Sequence, residues 1–185
     1  MTNKFIRVVL AALLSLPAAL SHAQAGAKPA VYADEDRDWG VPPATQLRTV
    51  GYHGPTPTRI PGGKVVTTGE LKALLEQPQR PYLIDVLGGG VHRTISGAFW
   101  MLGSGDGEMS KDEEARFAKA IAAFAGGDKS RPMVFYCVDS ECWLSYNASL
   151  RAISLGYTNV MWYRGGIASW RTSEGAMTQS DPFFW

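Results

Sequence analysis

The sequence predicts one α/β domain with a parallel central sheet and helices on both faces. Three observations carry that reading. Short apolar segments alternate with helical ones in the order strand, helix, strand, strand, helix, strand, helix, strand, helix, which calls for one parallel sheet. The segment Tyr82-Leu83-Ile84-Asp85-Val86 is a continuous apolar run, the mark of a strand buried on both faces. Glycine and proline turns separate the segments, as at Pro61-Gly62-Gly63, Gly88-Gly89-Gly90, Gly126-Gly127 and Gly165-Gly166.

The chain has 185 residues and opens on a targeting pattern. Lys4 and Arg7 form a basic n-region, Val8 to Leu20 an apolar run, and Ser21-His22-Ala23-Gln24-Ala25 a small-residue cleavage region. Residues 1–25 are therefore expected to be a signal peptide, with cleavage after Ala23 or Ala25 and a periplasmic mature protein. The alternative is an uncleaved anchor, although the run is short for a membrane span. Without Lys4 and Arg7, 16 basic residues face 17 acidic ones, a net charge of −1. With no basic stripe, nucleic acid and an anionic membrane surface are excluded as partners.

Residues 26–60 sustain no period of strand or helix and read as an extended N-terminal arm, with Tyr32, Trp39 and Tyr52 as candidate anchors, or as a loose leader. Lys64-Val65-Val66 is a short strand. Thr67-Thr68-Gly69-Glu70 is a capping box, and Leu71, Leu74 and Leu75 share one face of the helix it opens. After the Tyr82–Val86 strand, Ile95 to Met101 is a turn running into another strand. Glu113 to Phe124 fits a helix with Phe117, Ile121 and Phe124 on one face. Met133 to Tyr136 is the next strand, Trp143 to Leu155 the next helix with Gly156 as a left-handed cap, and Val160 to Tyr163 the last strand. Gly165-Gly166 marks a close approach before a final short helix.

Both cysteines of the chain fall in one loop, Cys137-Val138-Asp139-Ser140-Glu141-Cys142-Trp143, where a strand gives way to a helix. A thiol there meets the free N–H groups of the helix's first turn, which favour a thiolate. The carboxyl end of a strand is also where sites form in such folds. In an oxidising compartment the pair could be a structural disulfide, a redox pair, or a nucleophile with a helper.

Three stretches resemble the rhodanese family. Leu83-Ile84-Asp85-Val86 with Ile95-Ser96-Gly97-Ala98 resembles its first signature. Val134-Phe135-Tyr136-Cys137 resembles the strand that delivers its catalytic cysteine. Leu155-Gly156-Tyr157-Thr158-Asn159-Val160 with Gly165-Gly166 and Trp170 resembles its closing signature. The resemblance covers Val65 to Trp170 and implies a single rhodanese-like domain, taken as 61–185, and a sulfurtransferase that carries a persulfide on Cys137. Cys142-Trp143-Leu144-Ser145-Tyr146-Asn147-Ala148 and Trp162-Tyr163 resemble an exported rhodanese-like group with a cysteine-Trp motif, associated with PQQ-dependent alcohol catabolism. The family resemblance implies a small sulfur-donor substrate or thiol acceptor, and the narrower one implies only pathway context, a periplasmic quinoprotein dehydrogenase system. It implies no cofactor in this chain.

The loop departs from the family pattern. Cys142 stands where relatives carry a Gly and a basic or hydroxyl residue, and the two cysteines lie further apart than in the narrower group. Asp139 and Glu141 would raise the pKa of a nearby thiol and repel an anion if they face the site, offsetting a helix-terminus benefit of ~0.3 to 1 kcal/mol. Arg93 and Arg164, on flanking loops, could restore a positive pocket. Asp85 is expected to hold a neighbouring loop by accepting backbone hydrogen bonds, and Trp143 to pack on the sheet. Phosphatase chemistry is set aside because no arginine lies between Cys137 and Arg151. A metal site is set aside because His53 and His92 stand alone in sequence. The tail Phe183-Phe184-Trp185 either closes the core or docks a partner. A thiol–disulfide module or a silent accessory protein using Cys137 and Cys142 remains the alternative to sulfur transfer.

Overall fold

The computed structural model describes residues 30–185; the signal-peptide segment expected at 1–25 lies outside them. Five parallel strands form the central sheet: β1 (Lys64–Val66), β2 (Tyr82–Asp85), β4 (Phe99–Trp100), β5 (Met133–Tyr136) and β6 (Val160–Tyr163), in the spatial order β1-β6-β5-β2-β4. Strand β5 is central, and all four of its residues are buried. Helices α1 (Thr68–Leu75) and α4 (Gly166–Thr172) cover one face; α2 (Lys111–Ala125) and α3 (Trp143–Ser154) cover the other. Along β5, Met133 and Phe135 pack toward α2 and α3, whereas Val134 and Tyr136 pack toward α1 and α4. The alternation continues one residue further, so Cys137 joins the α2–α3 side.

The register sets the site. Tyr136 pairs with Asp85 on one side and with Tyr163 on the other. The three loops that follow these strands therefore leave the sheet side by side.

Both helix starts facing solvent are capping boxes. Thr67 accepts from the Glu70 N–H, and the Glu70 carboxylate accepts from the Thr67 N–H at 2.8 Å. Ser110 and Glu113 do the same for α2, which starts two residues before the position expected from its apolar face. The hydrogen bond from the Thr67 N–H holds the Glu70 carboxyl below its ordinary pKa. Gly156, at φ +84°, ends α3 as expected.

A second sheet, not expected, pairs β3 (Arg93–Ile95) antiparallel with β7 (Met177–Gln179). Each strand is three residues long, and they lie some 80 residues apart, too short and too distant for a local pattern to reveal.

The arm is anchored along the outside of α3. The Tyr146 hydroxyl accepts from the Ala44 N–H and donates to the Ala44 carbonyl, at 2.9 and 2.8 Å. The Asn147 side chain does the same to the backbone of Arg48, at 2.9 and 2.8 Å. The Arg48 guanidinium lies 4.8 Å from the centroid of the Trp143 ring. At the opposite end, Phe183 packs against Phe99 and Phe124, and its N–H donates to the Trp100 carbonyl, which covers the β4 edge. Phe184 beside it is 92% exposed. No helix among the described residues is long and apolar enough to cross a membrane.

Candidate functional site

The loop from Cys137 to Cys142 joins β5 to α3, and its two cysteines form a disulfide with Cα atoms 6.1 Å apart. Cys142 occupies the N-cap position of α3. The loop is tight: the Cys142 N–H donates to the Asp139 carbonyl at 3.2 Å, and the Glu141 N–H to the Asp139 carboxylate at 3.0 Å. Both sulfur-bearing residues are buried, Cys137 at 0% and Cys142 at 3% exposure.

Helix α4 holds the loop from one side. Its Ile167 and Ala168 N–H groups donate to the carbonyls of Cys137 and Val138, at 3.0 and 2.8 Å. This contact is why glycine stands at position 166, the first residue of the helix. Gly166 sits at φ +57°, and a Cβ there would run into the Cys137 carbonyl and lie 2.9 Å from the Asp139 N.

The arm holds the loop from the other side. Gly54 donates its N–H to the Glu141 carbonyl, and Trp143 donates its N–H to the Tyr52 carbonyl, both at 2.8 Å. The Thr56 hydroxyl donates to the Ser140 carbonyl, and the Trp143 indole to the Pro55 carbonyl at 3.1 Å. The His53 ring meets the Asp139 carboxylate at 3.2 Å. The Asp139 carboxylate is thus engaged by the Glu141 N–H and by His53 on the loop's outer side.

Arg164, expected in a positive pocket, is committed elsewhere. It is 1% exposed and donates to Thr56 Oγ1 at 3.0 Å, the Glu35 carbonyl at 2.8 Å, the Arg37 carbonyl at 2.7 Å and the Thr56 carbonyl at 3.3 Å. Burial pulls its pKa down, and the nearby acids Asp38, Asp36 and Asp34 oppose that pull. Its role in the structure is to bind the arm. Beside it the Glu35 carboxylate accepts from the Thr68 N–H and hydroxyl, at 2.7 and 2.6 Å. The Thr68 hydroxyl in turn accepts from Tyr163 at 2.6 Å, and burial pushes the Tyr163 phenol far up.

Asp85 is fully buried and does hold the neighbouring loop. It accepts from the Leu87 N–H at 2.9 Å, from the His92 ring at 2.8 Å and from the Thr94 hydroxyl. The Thr94 hydroxyl accepts from Tyr136 at 2.6 Å. The Asp85 hydrogen bond raises the His92 pKa, and burial raises that of Tyr136. Arg93 lies on the rim of a cavity of about 550 Å³ beside the loop, whose wall includes Val138, His92, Ile167, Arg171 and Met177. Trp143 is 5% exposed and packs edge-on against Tyr146.

Sequence reasoning missed Arg171, Thr56 and Glu35, and it left His92 as an isolated histidine. Only His92 carried a local signal, since it follows Asp85 by seven residues across a glycine turn. Glu35 is one acid among several in Asp34-Glu35-Asp36-Arg37-Asp38, and nothing in that run distinguishes the buried one. Among the described residues, no group of three or more His, Cys, Asp or Glu could hold a metal ion.

The site is thus a cysteine loop at the carboxyl end of the central strand of a parallel α/β sheet. The family profile described as the Rhodanese-like domain matches residues 67–173, and the chain belongs to that family, which is of sulfurtransferase type. No curated protein matches the chain. Among solved structures, it is similar to the Rhodanese_3-like domain of the Alr3790 protein from Anabaena sp., at 20% identity over 53% of this chain and 98% of that one, with a TM-score of 0.38. The Alr3790 protein from the same source matches at 25% identity over 60% of this chain and 78% of that one, with a TM-score of 0.42. An EanB variant in complex with hercynine matches at 20% identity over 68% of this chain and 33% of that one, with a TM-score of 0.48.

Proposed function

We propose that this is a periplasmic sulfurtransferase in which Cys137 takes up a sulfane sulfur as a persulfide. The observation that carries the reading is the position of Cys137 at the carboxyl end of β5, inside the family match. The Cys137 thiolate attacks the outer sulfur of a donor such as a thiosulfonate. The donor's S–S bond breaks, a sulfinate leaves, and Cys137 keeps the sulfur. The disulfide is the oxidised form, which a thiol must reduce before uptake. The basic and apolar N-terminal pattern supports export. The cysteine-Trp resemblance supports service to a periplasmic quinoprotein alcohol-oxidising system.

The deciding measurement is intact mass of reduced Cys142→Ser before and after thiosulfate. A gain of one sulfur, absent when Cys137 is also replaced by serine and reversed by reductant, is expected. A mass that thiosulfate leaves unchanged overturns sulfur transfer. Co-purification with a quinoprotein dehydrogenase from cells grown on alcohols tests the partner.

A second reading, a thiol–disulfide or catalytically silent binding module, is favoured by one observation: the nucleophile position is occupied by a buried disulfide. Under that reading the protein cycles between dithiol and disulfide without ever gaining sulfur.

A further inference from the structure

We infer that Cys142 is a resolving residue, so that the protein releases sulfide from a sulfane-sulfur donor instead of handing the sulfur to a second macromolecule. The inference rests on the proposed persulfide at Cys137.

Two features of the loop point to it. The first is proximity. The disulfide shows that the two sulfurs meet, and hydrogen bonds to α4 and to the arm hold the loop besides that bond. Ile167 and Ala168 hold Cys137 and Val138, while Tyr52, Gly54 and Thr56 hold Trp143, Glu141 and Ser140. In the dithiol the Cys142 sulfur therefore stays beside Cys137, and attack within so small a loop has the high effective concentration of an intramolecular reaction. Its place at the N-cap of a 12-residue helix favours its thiolate.

The second is access. Cys137 is 0% exposed, sealed by Val138 and by the packing of β5, α2 and α3. A small donor anion can reach a sulfur there on local opening, but the thiol of a folded acceptor cannot follow into a site sealed by the core. The second cysteine is already in place.

The step balances. The Cys142 thiol attacks Sγ of the Cys137 persulfide, the bond between Sγ and the outer sulfur breaks, and hydrosulfide leaves with the Cys142 proton. The sulfane sulfur is reduced to sulfide, and the two cysteines are oxidised to the disulfide seen in the structure. A small dithiol then resets the pair and is itself oxidised to a disulfide. Its point of attack is Cys142, which faces His53 of the arm across a β-bridge.

The test uses the full mature chain, reduced with dithiothreitol, freed of reductant, and given thiosulfate. Wild type is expected to release one equivalent of sulfide while both free thiols disappear and the mass returns to that of the disulfide. Cys142→Ser is expected to gain one sulfur and release none. A wild type that holds the extra sulfur with one thiol still free overturns the resolving role and leaves the persulfide reading standing. Absence of sulfur uptake in both proteins overturns the persulfide reading as well. The wild-type thiol and sulfide counts decide the matter even if the serine variant fails to fold. A disulfide that dithiothreitol reduces only in denaturant also overturns the cycle, because it marks a staple.

Discussion

The Nε of Arg164 lies 3.0 Å from the hydroxyl oxygen of Thr56, and that same hydroxyl donates to the carbonyl of Ser140. One buried arginine after β6 is thus linked through a single arm residue to the cysteine loop after β5. The arm is a structural part of the site, because Arg164 also holds the Glu35 and Arg37 carbonyls at 2.8 and 2.7 Å.

Arg164→Ala is therefore expected to release the arm and destabilise the protein by about 3 kcal/mol, since several buried carbonyls lose their donor together. Urea unfolding gives the magnitude, and limited proteolysis should show cleavage within residues 30–60 before the domain is cut. A variant of wild-type stability with an intact arm would show that the hydrogen bonds to Thr56, Glu35 and Arg37 hold nothing in place.

Gly166 and Gly126 offer a matched pair. Both sit near the same left-handed conformation, φ +57° and +58°, but a Cβ at Gly126 meets nothing within 4 Å while one at Gly166 strikes the Cys137 carbonyl. Gly126→Ala should cost only the conformational strain, roughly 1 kcal/mol. Gly166→Ala should cost more, by about 2 kcal/mol or beyond, and should displace the loop. Thermal unfolding compares the two, and the rate of disulfide reduction by dithiothreitol should rise in Gly166→Ala alone. Equal costs would mean that α4 does not clamp the loop.

The legible part of this molecule was the part with local chemistry. The strand Tyr82–Val86, the Thr67–Glu70 capping box and the Gly156 cap each depend on neighbours within a few residues, and each stands where the pattern put it. The cysteine loop was legible for the same reason. Arg164 was not, because its partners Glu35, Arg37 and Thr56 lie more than 100 residues earlier in a segment without period. The β3–β7 pairing and the roles of Thr56 and Arg171 were hidden likewise, since each depends on contacts that only the folded chain creates.

His92 gives a pH dependence with a definite sign. Its hydrogen bond to Asp85 is the largest cause holding its pKa above the ordinary 6.5. The folded state therefore binds the proton more tightly than the unfolded one. The stabilisation is fully present below pH 6.5 and is lost as pH rises through the raised value. Unfolding free energy of wild type should fall across that window, and His92→Gln should flatten this part of the profile. Parallel profiles for the two proteins would sever the link between His92 and Asp85.

The cavity beside Val138 makes the last prediction, which separates sulfur transfer from a silent fold. Sulfane-sulfur donors of the thiosulfate and thiosulfonate type are anions. The cavity wall brings Arg93 and Arg171 to one side of the loop, while the expected partner Arg164 is withdrawn into the arm. The Arg93 guanidinium is placed by its hydrogen bond to the Met177 carbonyl at 3.1 Å, so the β3–β7 ribbon sets its position. Both arginines are exposed, so each acts through a screened field, and neither loss alone should abolish uptake. Arg93→Gln and Arg171→Gln should each slow sulfur loading of reduced Cys137 by roughly three- to tenfold, equivalent to about 0.7 to 1.4 kcal/mol. The double variant should lose the sensitivity of loading to ionic strength that wild type shows. Loading rates come from quenched mass spectrometry at several salt concentrations. If the rates and their salt dependence are unchanged in the double variant, the donor reaches Cys137 by another route, and the cavity has no part in the reaction.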